Sequence, residues 1–73
     1  MMISMDLARG KVRIIEIRGG RGFVRRLIDM GLAPGQVVEV ISNGPPVVVK
    51  VRDSEIAIGK GVAKKVFVEE VNV

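Results

Sequence analysis

The chain is organised around one stretch, Arg25-Arg26-Leu27-Ile28-Asp29-Met30-Gly31-Leu32-Ala33-Pro34-Gly35, which predicts a helix, its end and a turn. The helix is predicted over residues 21–30, because apolar residues recur there at spacings of one, three and four, as on one helix face. These apolar residues are Phe23, Val24, Leu27 and Ile28. The residues predicted to face water are Arg21, Arg25, Arg26 and Asp29. The helix therefore has an apolar face for a core and a basic face for solvent.

Gly31 predicts where this helix ends. Helices commonly end on a left-handed residue, and glycine adopts that conformation without a steric clash. In such a Schellman ending, we expect Leu32 to fold back onto Leu27. Pro34 and Gly35 then occupy the second and third positions of a type II turn over 33–36, because proline presets φ and glycine accepts a positive φ.

Alternating apolar residues predict five short strands around the helix. The strands are predicted at 11–18, 36–42, 47–52, 55–58 and 65–71. In the first strand the alternation slips by one residue near Ile14 and Ile15, which is typical of a β-bulge. Together these elements predict a mainly β chain, a small partly open barrel of about five strands with the helix inserted after the first strand. We expect a single domain over residues 1–73.

The predicted core draws on the helix and on every strand. Its members are Val12, Ile14, Leu27, Ile28, Leu32, Val38, Val40, Val49, Val51, Ile56, Ile58, Val66 and Val68. A helical turn over 4–8, capped by Ser4, is predicted to add Leu7 as an anchor. The other local predictions are a hairpin turn at Asp53-Ser54, a turn or single helical turn over 59–64, and fraying of Asn72 and Val73.

Positive charge is concentrated in the first part of the chain. The net charge is +4, with seven basic against two acidic residues in 1–26 and five against six in the remainder. A basic half can attract nucleic acid, acidic protein or anionic lipid, or can simply keep the surface soluble. The apolar runs are far shorter than the ~20 residues of a membrane-spanning helix, and no signal-peptide core is present. With no cysteine in the chain, these features predict a cytoplasmic protein without membrane insertion.

The residue inventory argues against catalysis. Histidine, cysteine, tyrosine and tryptophan are all absent, so we predict no enzyme activity, no catalytic residues, no metal site and no cofactor. The run Gly19-Gly20-Arg21-Gly22 matches neither a Walker loop nor a dinucleotide fingerprint, and a flexible strand-to-helix loop is the alternative. Small barrels that bind single strands stack bases on aromatic side chains, and only Phe23 and Phe67 are available. Nucleic acid is therefore a disfavoured partner.

The organising stretch, followed by Val38-Glu39-Val40, resembles the FeoA family of small SH3-like barrels from bacterial and archaeal ferrous-iron uptake. The resemblance spans nearly the whole chain. Its most specific residues are Arg26, Leu27, Met30, Gly31, Leu32, Pro34 and Gly35. It implies a cytosolic accessory protein that acts with the membrane ferrous-iron permease carrying a cytosolic GTP-binding domain. The chain departs from the family pattern at Gly59-Lys60-Gly61 and in the short turn over 43–46, which bears on the partner surface more than on the barrel.

Two alternatives to this role stay open. The same barrel occurs as the C-terminal domain of metal-dependent repressors of the diphtheria-toxin-repressor type, so the chain could be a free-standing relative of that domain. A full repressor is excluded, because the sequence contains no DNA-reading helix-turn-helix. The other alternative is a basic RNA-binding barrel, which salt-dependent RNA affinity would favour.

The basic helix face is the predicted partner-binding surface. We expect the permease to contact Arg21, Arg25 and Arg26, because the planar arginine fork pairs well with carboxylates at interfaces. Alternation places further apolar residues off the core face, namely Phe67, Val48 and Ile41. These could add to the permease contact or form a self-association surface in a homo-oligomer. The competing interpretation is that the arginines only solvate an amphipathic helix.

Overall fold

One antiparallel sheet of six strands dominates the computed structural model, which describes residues 1–71. The strands are β1 (Ile3–Ser4), β2 (Gly10–Ile17), β3 (Val37–Ser42), β4 (Val47–Val51), β5 (Ser54–Ile58) and β6 (Val66–Glu70). Their order is β1-β6-β2-β3-β4-β5, so the sheet is not closed and its edges are β1 and β5. The predicted mainly β, partly open fold is confirmed. The extra strand is β1, whose two residues are too few to show an alternation.

Over residues 1–71, two α-helices and one 3-10 helix connect the strands. Helix α1 (Arg21–Asp29) lies between β2 and β3, α2 (Lys60–Ala63) lies between β5 and β6, and the 3-10 helix Met5–Leu7 lies between β1 and β2. The predicted positions of all three are confirmed, with α1 ending one residue earlier than expected because Met30 is its C-cap. The predicted fraying of Asn72 and Val73 lies outside the described residues.

The predicted bulge in β2 is present. Ile14 pairs with Val68, and the next paired residue is Glu16, opposite Phe67, so Ile15 is the extra residue. A bulge bends its strand and increases the local twist. Through this bend β2 pairs with β3 along its first half and with β6 along most of its length.

The end of α1 has the predicted Schellman geometry. Gly31 has a φ of 96°. The Leu32 amide donates to the Leu27 carbonyl at 2.9 Å, and the Gly31 amide donates to the Ile28 carbonyl at 2.9 Å. These are the two hydrogen bonds of that ending. Leu32 is fully buried and joins Leu27 in the core, so the helix end is held by packing as well as by hydrogen bonds.

The turn after α1 is attached to the bulged strand. Gly35 has a φ of 92°, and the Gln36 amide donates to the Ala33 carbonyl at 3.0 Å, as the type II turn requires. The Gly35 amide donates to the Ile14 carbonyl at 2.7 Å, and the Ile14 amide donates to the Gln36 carbonyl at 2.9 Å. The turn therefore sets where α1 sits relative to β2.

Three predicted core positions differ in the structure. Ile28 is 39% exposed and Ile56 is only partly buried against the core, whereas the other predicted core residues are buried. Leu7 was predicted as an anchor, and this is wrong: it is 67% exposed while Met5 is fully buried. A 3-10 helix repeats every three residues, so Met5 and Ala8 share the inward side and Leu7 points out.

Asp6 is buried and accepts a hydrogen bond from Ser4, the residue that was predicted to cap the helical turn. The Ser4 side chain makes no capping hydrogen bond to the 3-10 helix; its hydroxyl donates to the Asp6 carboxylate. The Lys64 ammonium lies 4.0 Å from the other carboxylate oxygen of Asp6. A buried carboxylate is costly unless it is paired and hydrogen-bonded, and these partners reduce that cost. Asp6 thereby ties the 3-10 helix to the end of α2.

The hairpin between β4 and β5 turns one residue earlier than predicted. Val51 pairs with Ser54, so the loop is Arg52-Asp53 and not Asp53-Ser54. Arg52 has a φ of 56°, the left-handed conformation that two-residue hairpin loops demand. Without a glycine, the sequence carried no local signal for the exact loop position.

Candidate partner-binding surface

Helix α1 buries only part of its apolar stripe. Leu27 is its one fully buried residue, and Phe23 packs partly against the core. Val24 is half-buried, and Ile28 is exposed. Because each residue turns the helix by about 100°, the four apolar residues spread over a wide part of its circumference. This apolar stripe is wider than the part of the helix that contacts the core. Burial centres between Phe23 and Leu27, and the remaining apolar edge lies at the surface.

The exposed edge of α1 forms a shallow groove, which we call the helix groove. It is lined by Gly19, Arg21, Gly22, Val24, Arg25 and Ile28. Val24 and Ile28 supply its apolar floor, and the two arginines supply charge at its rim. The Arg25 guanidinium lies 3.5 Å from the Asp29 carboxylate, but these side chains are 79% and 68% exposed, so water weakens the pair. Both arginines are therefore available to a partner.

Arg26 lies outside the helix groove. It is exposed, as predicted, but it is turned by about 100° from Arg25 around the helix axis. A cation in the last helical turn interacts favourably with the carbonyl end of the helix dipole. The structure thus groups Arg21 with Arg25 and separates Arg26 from them.

Phe67 is also separate from the helix groove. It is partly buried on β6, and the Arg18 guanidinium carbon lies 4.0 Å from its ring centroid. Arg18 is held there by donating from Nε to the Glu16 carboxylate at 3.1 Å. One ring face is therefore covered by a cation, which leaves a poor platform for stacking a base. Sequence reasoning missed this role of Arg18, because no local pattern connects the end of β2 to a residue on β6.

The other predicted apolar neighbours lie on separate strands. Val48 is partly buried on β4, and Ile41 is 39% exposed on β3. Neither lines the helix groove. The apolar component of the groove comes instead from the predicted apolar face of the helix, from Val24 and from Ile28, which was predicted as core.

The glycine loop before α1 has a structural explanation. Gly19 has a φ of 153°, and a Cβ at this position would lie 2.6 Å from the ring of Phe23. Gly20 is the N-cap of α1, where the Val24 amide donates to its carbonyl at 3.0 Å. Close packing of Phe23 explains the glycine at 19, which favours the strand-to-helix loop over a phosphate-binding loop.

The described residues offer no cluster of metal-binding side chains. Within residues 1–71, no three acidic, histidine or cysteine side chains come together in a way that could hold a metal ion. Over the same part of the chain, no helix is long and apolar enough to cross a membrane. The chemistry that the helix groove offers is non-covalent: apolar contact and arginine hydrogen bonds.

A family model described as the FeoA domain matches residues 5–70 of the chain. The chain belongs to the FeoA family. A Methanocaldococcus jannaschii protein provisionally named Fe(2+) transport protein A is 39% identical over 61 residues, which cover 82% of this chain and 74% of that protein. The crystal structure of an iron uptake regulatory protein, FeoA, is similar with a TM-score of 0.88 and 32% identity over 97% of this chain and 100% of that one.

The FeoA fold also occurs inside a larger regulator. The metal-dependent transcriptional regulator MtsR is similar with a TM-score of 0.81 over 94% of this chain but only 34% of its own length. The two share 15% sequence identity, so this likeness shows the fold alone. It agrees with the expectation that the barrel is shared with metal-dependent repressors.

Proposed function

We propose that this chain is a cytoplasmic accessory protein of ferrous-iron uptake that binds the cytosolic part of the GTP-dependent ferrous-iron permease. Membership of the FeoA family supports the ferrous-iron transport role, since relatives carry the names Fe(2+) transport protein A and iron uptake regulatory protein. The permease as the partner rests on the family resemblance together with a surface suited to protein binding.

The observation that carries the proposal is the composition of the helix groove. Val24 and Ile28 expose apolar surface beside Arg21 and Arg25. Burying apolar side chains supplies affinity, while arginines supply steering and paired hydrogen bonds to carboxylates. The matching partner surface therefore presents an apolar side chain with carboxylates beside it. Binding should weaken as salt rises, because the rim charges are exposed.

Titration calorimetry with the purified cytosolic domain of the permease tests this proposal. Arg21→Gln combined with Arg25→Gln removes the rim charges and should weaken binding about tenfold or more. Arg26→Gln combined with Lys50→Gln removes the same charge outside the groove and should change the affinity by less than about threefold. Ile28→Ser tests the apolar floor at an exposed position and should also weaken binding.

Three results would contradict the proposal in different ways. Equal losses in both double variants would show that binding follows net charge and not the groove. No binding by the unmodified chain would remove the permease as the partner. Salt-dependent retention of RNA in a parallel experiment at two salt concentrations, with no permease binding, would favour the RNA-binding alternative.

A further inference from the structure

The open sheet leaves β5 with a free edge. Strand β5 pairs with β4 and lies at the end of the strand order, at the opposite edge from β1. Natural edges are protected by short length, proline or lysine, because their free amides and carbonyls recruit other strands. The β1 edge has two residues, but β5 has five, with the sequence Ser-Glu-Ile-Ala-Ile and neither proline nor lysine. Of the two edges, β5 is therefore the one suited to adding a strand.

The register of the hairpin identifies which backbone groups face outward. Val51 and Ser54 flank the two-residue loop and form a hydrogen-bonded pair, as does every second pair after them, including Val49 with Ile56. Glu55 and Ala57 occupy the alternate positions, so their amides and carbonyls point away from β4. Both residues are exposed. Neither takes part in a loop or turn hydrogen bond of the described backbone.

We propose that a second copy of this chain pairs with β5 in antiparallel orientation, about a two-fold axis at Ile56. In this register Glu55 lies opposite Ala57 of the second copy, and Ile56 lies opposite its own symmetry mate. The outward amides and carbonyls of Glu55 and Ala57 then form hydrogen-bonded pairs across the axis. Ile56 falls at a non-hydrogen-bonded pair, where side chains approach more closely.

Symmetry and charge favour this occupant and this register. A two-fold contact uses the same patch on both copies, and β5 is complementary to itself when centred on Ile56. Pairing centred on Glu55 would set two carboxylates directly opposite each other, which is unfavourable. The chosen register instead sets each carboxylate opposite a small alanine. It also brings together the two Ile56 side chains, which are only partly buried in one copy.

The proposed contact is independent of the helix groove and of the permease. It is also distinct from the self-association surface predicted at Phe67, Val48 and Ile41. One edge strand makes a small interface, below roughly 1,000 Å², which is typical of weak association. We therefore expect a reversible dimer that becomes populated at high protein concentration.

Sedimentation equilibrium of the full chain, from about 10 µM to about 1 mM, measures dimerisation. A positive or a negative charge introduced at position 57 tests the proposed register. Ala57→Lys places a lysine opposite Glu55 of the other copy, twice by symmetry, and should strengthen dimerisation by roughly two- to thirtyfold. Ala57→Glu places like charges at the same positions and should weaken it by a similar factor. The Ala57 side chain is exposed, so both variants should keep the fold, which circular dichroism checks.

Matched substitutions on an interior strand control for net charge. Val37 is 39% exposed on β3, and Val37→Lys and Val37→Glu should leave dimerisation unchanged. In the unmodified chain, the amide NMR signals of Glu55 and Ala57 should shift with concentration. A chain that stays monomeric at the highest concentration, even as Ala57→Lys, would overturn the proposal. So would dimerisation that responds equally at Val37 and Ala57, or a monomer whose β5 signals shift only when the permease domain is added.

Discussion

Replacing Gly31 with alanine tests the helix ending around which the chain is organised. Gly31 has a positive φ of 96°, and a Cβ at this position would lie 2.7 Å from Cγ1 of Val51. Val51 is 5% exposed and packed in the core, so it has little freedom to move aside. The substitution therefore carries both a backbone penalty and a packing penalty.

The two penalties can be estimated separately. A left-handed conformation costs a non-glycine residue about 1–2 kcal/mol. Forcing a methyl group into a filled core costs about 1–3 kcal/mol. The lower entropy of alanine in the unfolded chain offsets about 0.4–1 kcal/mol. We expect Gly31→Ala to lower the free energy of unfolding by about 3 kcal/mol, and the Tm falls by about 4–8 °C for each kcal/mol in a domain of this size.

Two other glycines of the chain separate these contributions in urea and thermal unfolding. Gly35 has a φ of 92° with nothing within 4 Å of a Cβ, so Gly35→Ala should show the backbone penalty alone, about 1 kcal/mol. Gly22 lies inside α1 with open space around it, so Gly22→Ala should stabilise the chain by about 0.5–1 kcal/mol. If Gly31→Ala costs no more than Gly35→Ala, the contact with Val51 is refuted. An unchanged Tm would refute the left-handed ending itself.

Leu27→Ala should lower the free energy of unfolding by about 2–5 kcal/mol, because Leu27 is 3% exposed in the core. Ile28→Ala should lower it by less than about 1 kcal/mol, because Ile28 is exposed. Similar urea midpoints for the two variants would contradict the burial pattern of α1. Anaerobic calorimetry should show no stoichiometric, micromolar binding of Fe²⁺ or GTP, because the sequence has neither cysteine nor histidine and no phosphate-loop motif. A saturable isotherm with either ligand would contradict this prediction.

Features set by neighbouring residues were predictable from the sequence. The helix ending at Gly31, the turn at Pro34 and Gly35, and the bulge at Ile15 each depend on backbone preferences or alternation over a few residues. Three local predictions differ from the structure, at Leu7, at the hairpin loop and at Ser4. Leu7 is predicted as the anchor, but the 3-10 helix turns Met5 inward, because its repeat differs from that of an α-helix. The hairpin loop lies one residue before its predicted position, because Arg52 is not a residue type that usually adopts the left-handed conformation. The Ser4 hydroxyl binds Asp6 and does not cap the helix, and no local pattern signals this contact.

Local conformational preferences, periodicity and a recognisable motif in the sequence were enough to predict five of the six strands, the helices, most of the inward residues and the family. How much of each face is covered depends on packing between elements that are distant in the sequence. Val24 and Ile28 have the same period as Leu27, but the core covers only Leu27 completely, so they line a groove with Arg21 and Arg25. Likewise, alternation predicts β5 but not its position at an open edge. Position in a sheet depends on pairing between distant strands, and periodicity within one strand carries no information about its neighbours.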